Sequence, residues 1–112
     1  MMFGFGKKKV DKVAWAAAVF VEPPKHPEKL KESDLAAITR ELIFQDLRII
    51  NESIDIVQRT RNEDTRQGRV DLIGKRYRHL QTLVPFADED SKAKILMAEE
   101  RMRSVGQIKM EA

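Results

Sequence analysis

The chain contains no cysteine, which excludes disulfides, zinc–thiolate sites and thiol nucleophiles. A helix needs about 20 apolar residues to span a bilayer, and no apolar run approaches that length. Chain breakers are also scarce, with four prolines and five glycines in 112 residues. Apolar residues remain plentiful and recur with helical spacing, so the composition predicts a folded helical protein. The lack of thiols fits a reducing compartment, and we expect a cytoplasmic protein.

Recognisable catalytic patterns are missing as well. His26 and His79 stand alone, without the Glu-x-x-His or His-Glu-x-x-His spacing that builds metal sites on helices. The segment "GFGKKK" lacks the glycine spacing and the Ser/Thr of a phosphate-binding loop. We therefore expect no enzyme, no metal, no cofactor and no small-molecule substrate. His79 is expected on the solvated side of its helix, beside Lys75 and Arg78.

The net charge of +3 is unevenly distributed along the chain. Residues 1–31 hold seven lysines and three acids, which gives +4, whereas residues 32–112 hold fourteen basic and fifteen acidic residues, which gives −1. A binding face for nucleic acid needs basic residues clustered on one surface, so the overall charge is weak support for it. The shift in composition divides the chain into a basic N-terminal arm, 1–31, and a helical bundle domain, 32–112.

Apolar periodicity predicts the secondary structure. Helices are expected over about 10–21, 34–61, 66–84 and 88–105, with Ser33 capping the second. Pro23 and Pro24 end the first helix, and the short later loops force neighbouring helices to run antiparallel. The predicted fold is all-α, a small antiparallel three-helix core with an additional N-terminal helix on a Pro-rich arm.

The segment "KKKVDKVAWAAAVFVEPPKHP" (7–27) has three interpretations: an export signal, a membrane-surface helix and a helix docked on protein. An export signal lacks its cleavage site, because the small residues lie inside the apolar run and Glu22-Pro23 follows it. Trp15 lies away from the stripe of Val10, Val13, Ala17 and Phe20, so apolar groups surround most of the helix. Such a helix is more often buried in protein than laid on a bilayer. We predict an uncleaved, docked helix and no membrane partner, leaving open whether it docks on its own chain or another.

The second helix carries two apolar stripes, a wider apolar surface than one contact requires. The first stripe is Leu35, Ile38, Leu42, Ile49 and Ile56, and the second is Ile43, Leu47, Ile50, Ile54 and Val57. Between them runs a polar seam with one residue every seven positions, formed by Thr39, Asp46, Ser53 and Thr60. The seam has two possible explanations. In a central bundle helix, small polar residues bond to backbone carbonyls. At a contact with a partner chain, the same residues would set the register between the two helices.

Asp46 lies at the centre of this apolar side and needs a hydrogen-bonded or charged partner. The adjacent helix is expected to offer the neutral Gln81 but no charge, since Arg78 and Thr82 point elsewhere. A charged partner would then come from another helix or a second subunit.

These patterns lead to two function hypotheses. The first is a small non-enzymatic helical interaction or adaptor protein that self-associates, with support from Leu96 and Met97 off the main stripe of the last helix. Its candidate interface residues are Thr39, Asp46, Ser53, Thr60, Ile43, Leu47, Ile50, Ile54, Trp15 and Phe20. The alternative is a nucleic-acid-binding accessory protein that uses the arm and residues 59–79. Its candidate contacts are Lys7, Lys8, Lys9, Arg66, Arg69, Lys75, Arg76 and Arg78.

The charge balance between neighbouring helices argues against the alternative. Residues 59–79 carry seven basic and three acidic residues, and residues 32–58 carry two basic and six acidic ones. Packed side by side, the two segments would offset each other's field, so we favour protein as the partner.

Overall fold

The computed structural model describes residues 11–105, and the predicted contributions of Val10 and of Lys7 to Lys9 lie outside them. Within these residues four α-helices follow one another, and the connections after the second and third are short. They are α1 (Lys12–Val19), α2 (Glu32–Arg59), α3 (Glu63–Leu83) and α4 (Glu89–Val105), with 3₁₀ turns at Pro27–Lys29 and Val84–Phe86. The predicted all-α class is confirmed.

Side-chain caps define the starts of three helices. Asp11, Asn62 and Asp88 each accept a hydrogen bond from the backbone N–H three residues further on, which satisfies one of the orphan donors of a helix start. The prediction of Ser33 as a cap is wrong, because α2 begins after Lys31, which makes no side-chain cap. Two acids in the first turn of α2, Glu32 and Asp34, complement the positive end of the helix.

The three long helices pack against one another with the chain direction alternating. Asp46 contacts Arg76 and Ser53 contacts Arg69, so α2 and α3 run antiparallel. Contacts between α2 and α4 instead advance together along the chain, from Arg40–Asp88 near one end to Asn51–Arg101 further along. The order up, down, up makes α2 and α4 parallel neighbours, both antiparallel to α3.

The main core lies between these three helices. Its buried residues come from the predicted second stripe of α2 and from α3 and α4. They are Ile43, Leu47, Ile50, Ile54, Val57, Ile73, Tyr77, Leu80, Leu83, Ile95, Ala98 and Met102. In the first stripe of α2 only Leu35 is fully buried, and the other four residues keep partial contact with solvent.

Helix α1 packs on the same chain through a second, smaller apolar cluster. Trp15 and Ala16 are completely buried with Leu35, and Phe20, Leu30 and Phe86 pack around them. Of the apolar stripe predicted on α1, the side chain of Val13 is 61% exposed and Ala17 is exposed, whereas Phe20 packs against the cluster. The indole of Trp15 is the largest apolar group of α1, so its burial decides the orientation of the helix. Across residues 11–105, none of the helices has the length and apolar character needed to cross a membrane.

Candidate functional site

Thr39 is the first residue of the polar seam on α2, and it joins α2 to α1. Its hydroxyl donates to the carbonyl of Leu35 at 2.7 Å and accepts from Nε1 of Trp15 at 2.8 Å. The bond to Leu35 is the backbone interaction predicted for small polar residues inside a helix. The bond from Trp15 satisfies a buried indole N–H that would otherwise cost free energy.

Asp46 is the second seam residue and is the only charged group that the described chain buries. Its carboxylate is 1% exposed and accepts from Nη1 of Arg76 at 3.3 Å, and it lies 2.5 Å from Nδ1 of His79. The prediction that α3 offers Asp46 no charge is wrong, and so is the prediction of a fully solvated His79. Both partners reach sideways from the flank of α3 and leave 40% and 35% of their side chains exposed.

Ser53 and Thr60 complete the seam against the first half of α3. The hydroxyl of Ser53 accepts a long hydrogen bond from Arg69 at 3.5 Å. Thr60 ends α2, where its carbonyl accepts from Arg66 at 2.6 Å and its hydroxyl accepts from the backbone N–H of Asn62. Every seam residue therefore has a partner within the same chain.

Most of the predicted interface residues consequently lie inside the protein. Thr39, Asp46, Ser53 and Trp15 are buried and hydrogen-bonded, and Phe20 is half-buried, with its ring 5.5 Å from that of Trp15 in an edge-to-face arrangement. The apolar members of the set are core residues: Ile43, Leu47, Ile50 and Ile54. A second chain docking on the folded protein would reach these side chains only at their edges, as at Leu47, which lines a surface groove.

The basic residues of α3 divide into two groups. The guanidinium groups of three arginines donate hydrogen bonds within the chain: Arg66 to Thr60, Arg69 to Ser53 and Arg76 to Asp46. Lys75 and Arg78 are exposed.

An exposed apolar groove lies between α2 and α4. Phe44 and Met97, exposed by 57% and 67%, stand at its two sides, and Leu47 and Ala98 form its floor. The groove measures about 470 Å³. Leu96 of α4 is 61% exposed but does not line this groove. The prediction that Leu96 and Met97 lie off the main stripe of this helix is confirmed by their exposure.

Polar and charged side chains line the rest of this α2–α4 groove. Arg101 of α4 donates to Asn51 at 2.7 Å and to Asp55 at 2.8 Å, which ties the two helices together at one end. Arg48 and Glu52 also line the groove and are exposed. Within residues 11–105 neither forms an ion pair.

Phe44 is the member of this site that the sequence interpretation missed. It lies outside both apolar stripes of α2, so the periodicity that identifies core positions passes over it. A large aromatic residue on the polar side of an otherwise amphipathic helix is the signal that could have identified it, since large exposed apolar groups mark contact surfaces.

A second polar contact with α4 involves Tyr77. Its hydroxyl donates to Oε2 of Glu99 at 2.5 Å. Burial, together with this carboxylate, raises the pKa of Tyr77 to about 12. The phenol therefore stays neutral throughout the physiological pH range, and its hydrogen bond to Glu99 joins α3 to α4.

No cluster of three metal-ligating side chains occurs among residues 11–105. Comparison of the chain with protein-family models, with curated proteins and with solved structures finds no match. The groove, the seam and the distribution of charge are the features of the described residues that bear on function.

Proposed function

We propose that this protein is a small non-enzymatic helical interaction protein that self-associates in the cytoplasm. The observation that carries the proposal is the exposed apolar surface of Phe44 and Met97 at the groove between two parallel helices. Both side chains are more than half exposed, although α2 and α4 together bury eight core residues on their other sides. Contiguous apolar groups with a polar surround are typical of protein contact sites, and flexible methionine adapts readily to a partner.

The alternative, binding of nucleic acid, is less well supported. It requires basic side chains free to neutralise phosphates. Three of the five candidate arginines and lysines on α3 are engaged within the chain, namely Arg66, Arg69 and Arg76. Protein is therefore the favoured partner.

Light scattering over a range of protein concentrations tests the proposal. We expect a dimer or larger species at tens of micromolar, and we expect the double variant Phe44→Ser/Met97→Ser to be monomeric there. Val21→Ser is the matched control, because Val21 is fully exposed and lies away from the groove. A wild-type protein that stays monomeric at these concentrations would contradict self-association.

A further inference from the structure

Phe44 has opposite charges one helical turn to either side of it. Glu41 precedes it by three residues and Arg48 follows it by four, and all three side chains are exposed. Residues separated by three and four positions share one face of a helix, so the order along the exposed face of α2 is acid, aromatic, base. Ile43 and Ile50 face the core on the other side of the same helix.

This order is self-complementary for antiparallel pairing. Suppose that a twofold axis passes between the levels of Phe44 and Gln45. Two residues of different copies then lie level when their numbers add up to 89. Glu41 then lies level with Arg48 of the second copy, and Arg48 with its Glu41. A twofold axis repeats each contact, so the single charge order supplies two ion pairs around a central aromatic pair.

The groove between α2 and α4 offers a place for the aromatic ring of the second copy. Arg101 of α4 contacts Asn51 of α2. One turn earlier on each helix, Met97 of α4 and Leu47 of α2 both line the groove. Met97 is therefore near the level of Phe44 and at the side of the groove that an incoming ring would approach. Methionine sulfur against an aromatic ring is a favourable contact.

We propose that two copies of this chain pair antiparallel along α2, with Phe44 of each copy inserted into the α2–α4 groove of the other and with Glu41 and Arg48 paired across the twofold axis. This inference rests on the proposed self-association and adds the surface and its geometry. An apolar centre with a charged margin is the usual anatomy of a contact site. The segment between the two ion pairs, from Glu41 to Arg48, is only about 12 Å long at 1.5 Å per residue, so we expect a dissociation constant in the micromolar range.

A different register of the same helices would pair other charges. An axis at the level of Ile50 sets Arg48 against Glu52 of the second copy and leaves the two Phe44 rings about 18 Å apart along the helix axis, at 1.5 Å per residue. Such a register leaves the aromatic centre unpaired, and the groove without an occupant. Charge reversal at Glu41 and at Glu52 distinguishes the two arrangements.

The first experiment measures the dimer dissociation constant of charge-reversal variants. Arg48→Glu and Glu41→Arg are each expected to weaken the dimer at least tenfold, about 1.4 kcal/mol, since each sets like charges together twice. The double variant Glu41→Arg/Arg48→Glu should return within about threefold of wild type. The matched control Asp71→Arg/Lys75→Glu reverses two exposed charges on α3 and should change nothing.

The second experiment uses the absence of native cysteine. Gln45→Cys places a thiol beside the axis, so mild oxidation should convert the variant to a disulfide-linked dimer. Gln58→Cys is the control at another exposed position of α2, where the two thiols of the proposed dimer are about 40 Å apart along the axis. Circular dichroism and the emission of the single Trp15 verify folding of every variant.

Each failure has its own meaning. A wild-type protein that remains monomeric overturns the self-association and this inference together. A wild-type dimer that survives Phe44→Ser leaves the proposed function standing and overturns the surface. A dimer that depends on Phe44 but is restored by Arg48→Glu/Glu52→Arg, or that cross-links as efficiently through Gln58→Cys as through Gln45→Cys, overturns the register.

Discussion

Asp46 is held in the core of the bundle by two side chains of α3 that keep contact with water. The carboxylate itself is 1% exposed, while Arg76 and His79 are each more than a third exposed. Removing the carboxylate lets both partners regain hydration. Removing the partners leaves a charge buried without compensation, which is far more costly.

The first stability prediction follows from this asymmetry. Asp46→Leu should lower the free energy of unfolding by only about 1–3 kcal/mol, because the lost hydrogen bonds are partly offset by apolar packing. The double variant Arg76→Ala/His79→Ala should cost more, about 3–5 kcal/mol, since it strands the buried carboxylate. Urea melts of the variants measure both values.

Asp71→Ala is the control for these melts, since Asp71 is an exposed acid on α3. It should change the free energy of unfolding by no more than about 0.5 kcal/mol. Equal losses for the carboxylate and the partner variants would contradict the view that Asp46 depends on its two partners.

The need of Asp46 for a partner could be predicted from the sequence, but the identity of that partner could not. A helical wheel treats each side chain as a point at its Cβ, and on that basis Arg76 and His79 lie outside the contact face of α3. Long side chains on the flank of a helix bend towards a buried charge while their ends remain near water. Only the packed structure shows that they do so here.

At the scale of elements, α1 is attached to the bundle by a small set of contacts around Trp15. The indole ring is completely buried, and its N–H bonds to the buried hydroxyl of Thr39. Ala16 and Leu35 complete the apolar cluster. A helix of eight residues has little stability of its own, so these tertiary contacts determine whether it forms.

We therefore predict that Thr39→Val loosens α1 without unfolding the bundle. The substitution leaves the indole N–H without its acceptor, which should cost about 1–3 kcal/mol for the docked helix. Because Trp15 is the only tryptophan, its fluorescence reports α1 alone. The variant should show stronger quenching by acrylamide and emission at longer wavelength than the wild type.

Thr82→Val provides the comparison, since the exposed hydroxyl of Thr82 bonds only within its own helix turn. Its tryptophan emission should match the wild type. Unchanged quenching in Thr39→Val would show that the apolar contacts alone hold α1.

Helix ends were predicted to within a few residues, and the differences have a physical cause. The predicted second helix, 34–61, is observed as Glu32–Arg59, and the predicted third helix begins at Glu63 instead of 66. Asn62 was assigned to the break between helices, where it caps α3. Several polar residues near one boundary are all suitable caps, and the tertiary path of the chain decides which one is used.

For the whole molecule, the uneven charge along the sequence is largely neutralised between neighbouring helices. The acidic stretch of α2 packs antiparallel on the basic stretch of α3, with Asp46 and Arg76 in direct contact. A further pair, Arg101 with Asp55, joins α2 to α4. The field of the bundle at a distance is weaker than the count of basic residues in α3 suggests.

We accordingly predict a shallow salt dependence for any binding of generic duplex DNA by the full chain. The slope of the logarithm of affinity against that of salt should correspond to fewer than about three phosphate contacts. A salt titration followed by fluorescence anisotropy measures it. A steep slope, as for six or more contacts, would contradict protein as the favoured partner, and its loss in Lys75→Ala/Arg78→Ala would assign the contacts to α3.

The sequence by itself determined the class of fold, the four helices and most of the core. Those features follow from local periodicity and from chain breakers, which act whatever the distant parts of the chain do. The tertiary structure alone decided how the polar seam is satisfied, which face of α1 is buried and where apolar surface is left exposed. Each of these depends on which side chains of other helices come within reach. Phe44 shows the difference most clearly, because its place at an exposed groove follows from the packing of α4 on α2.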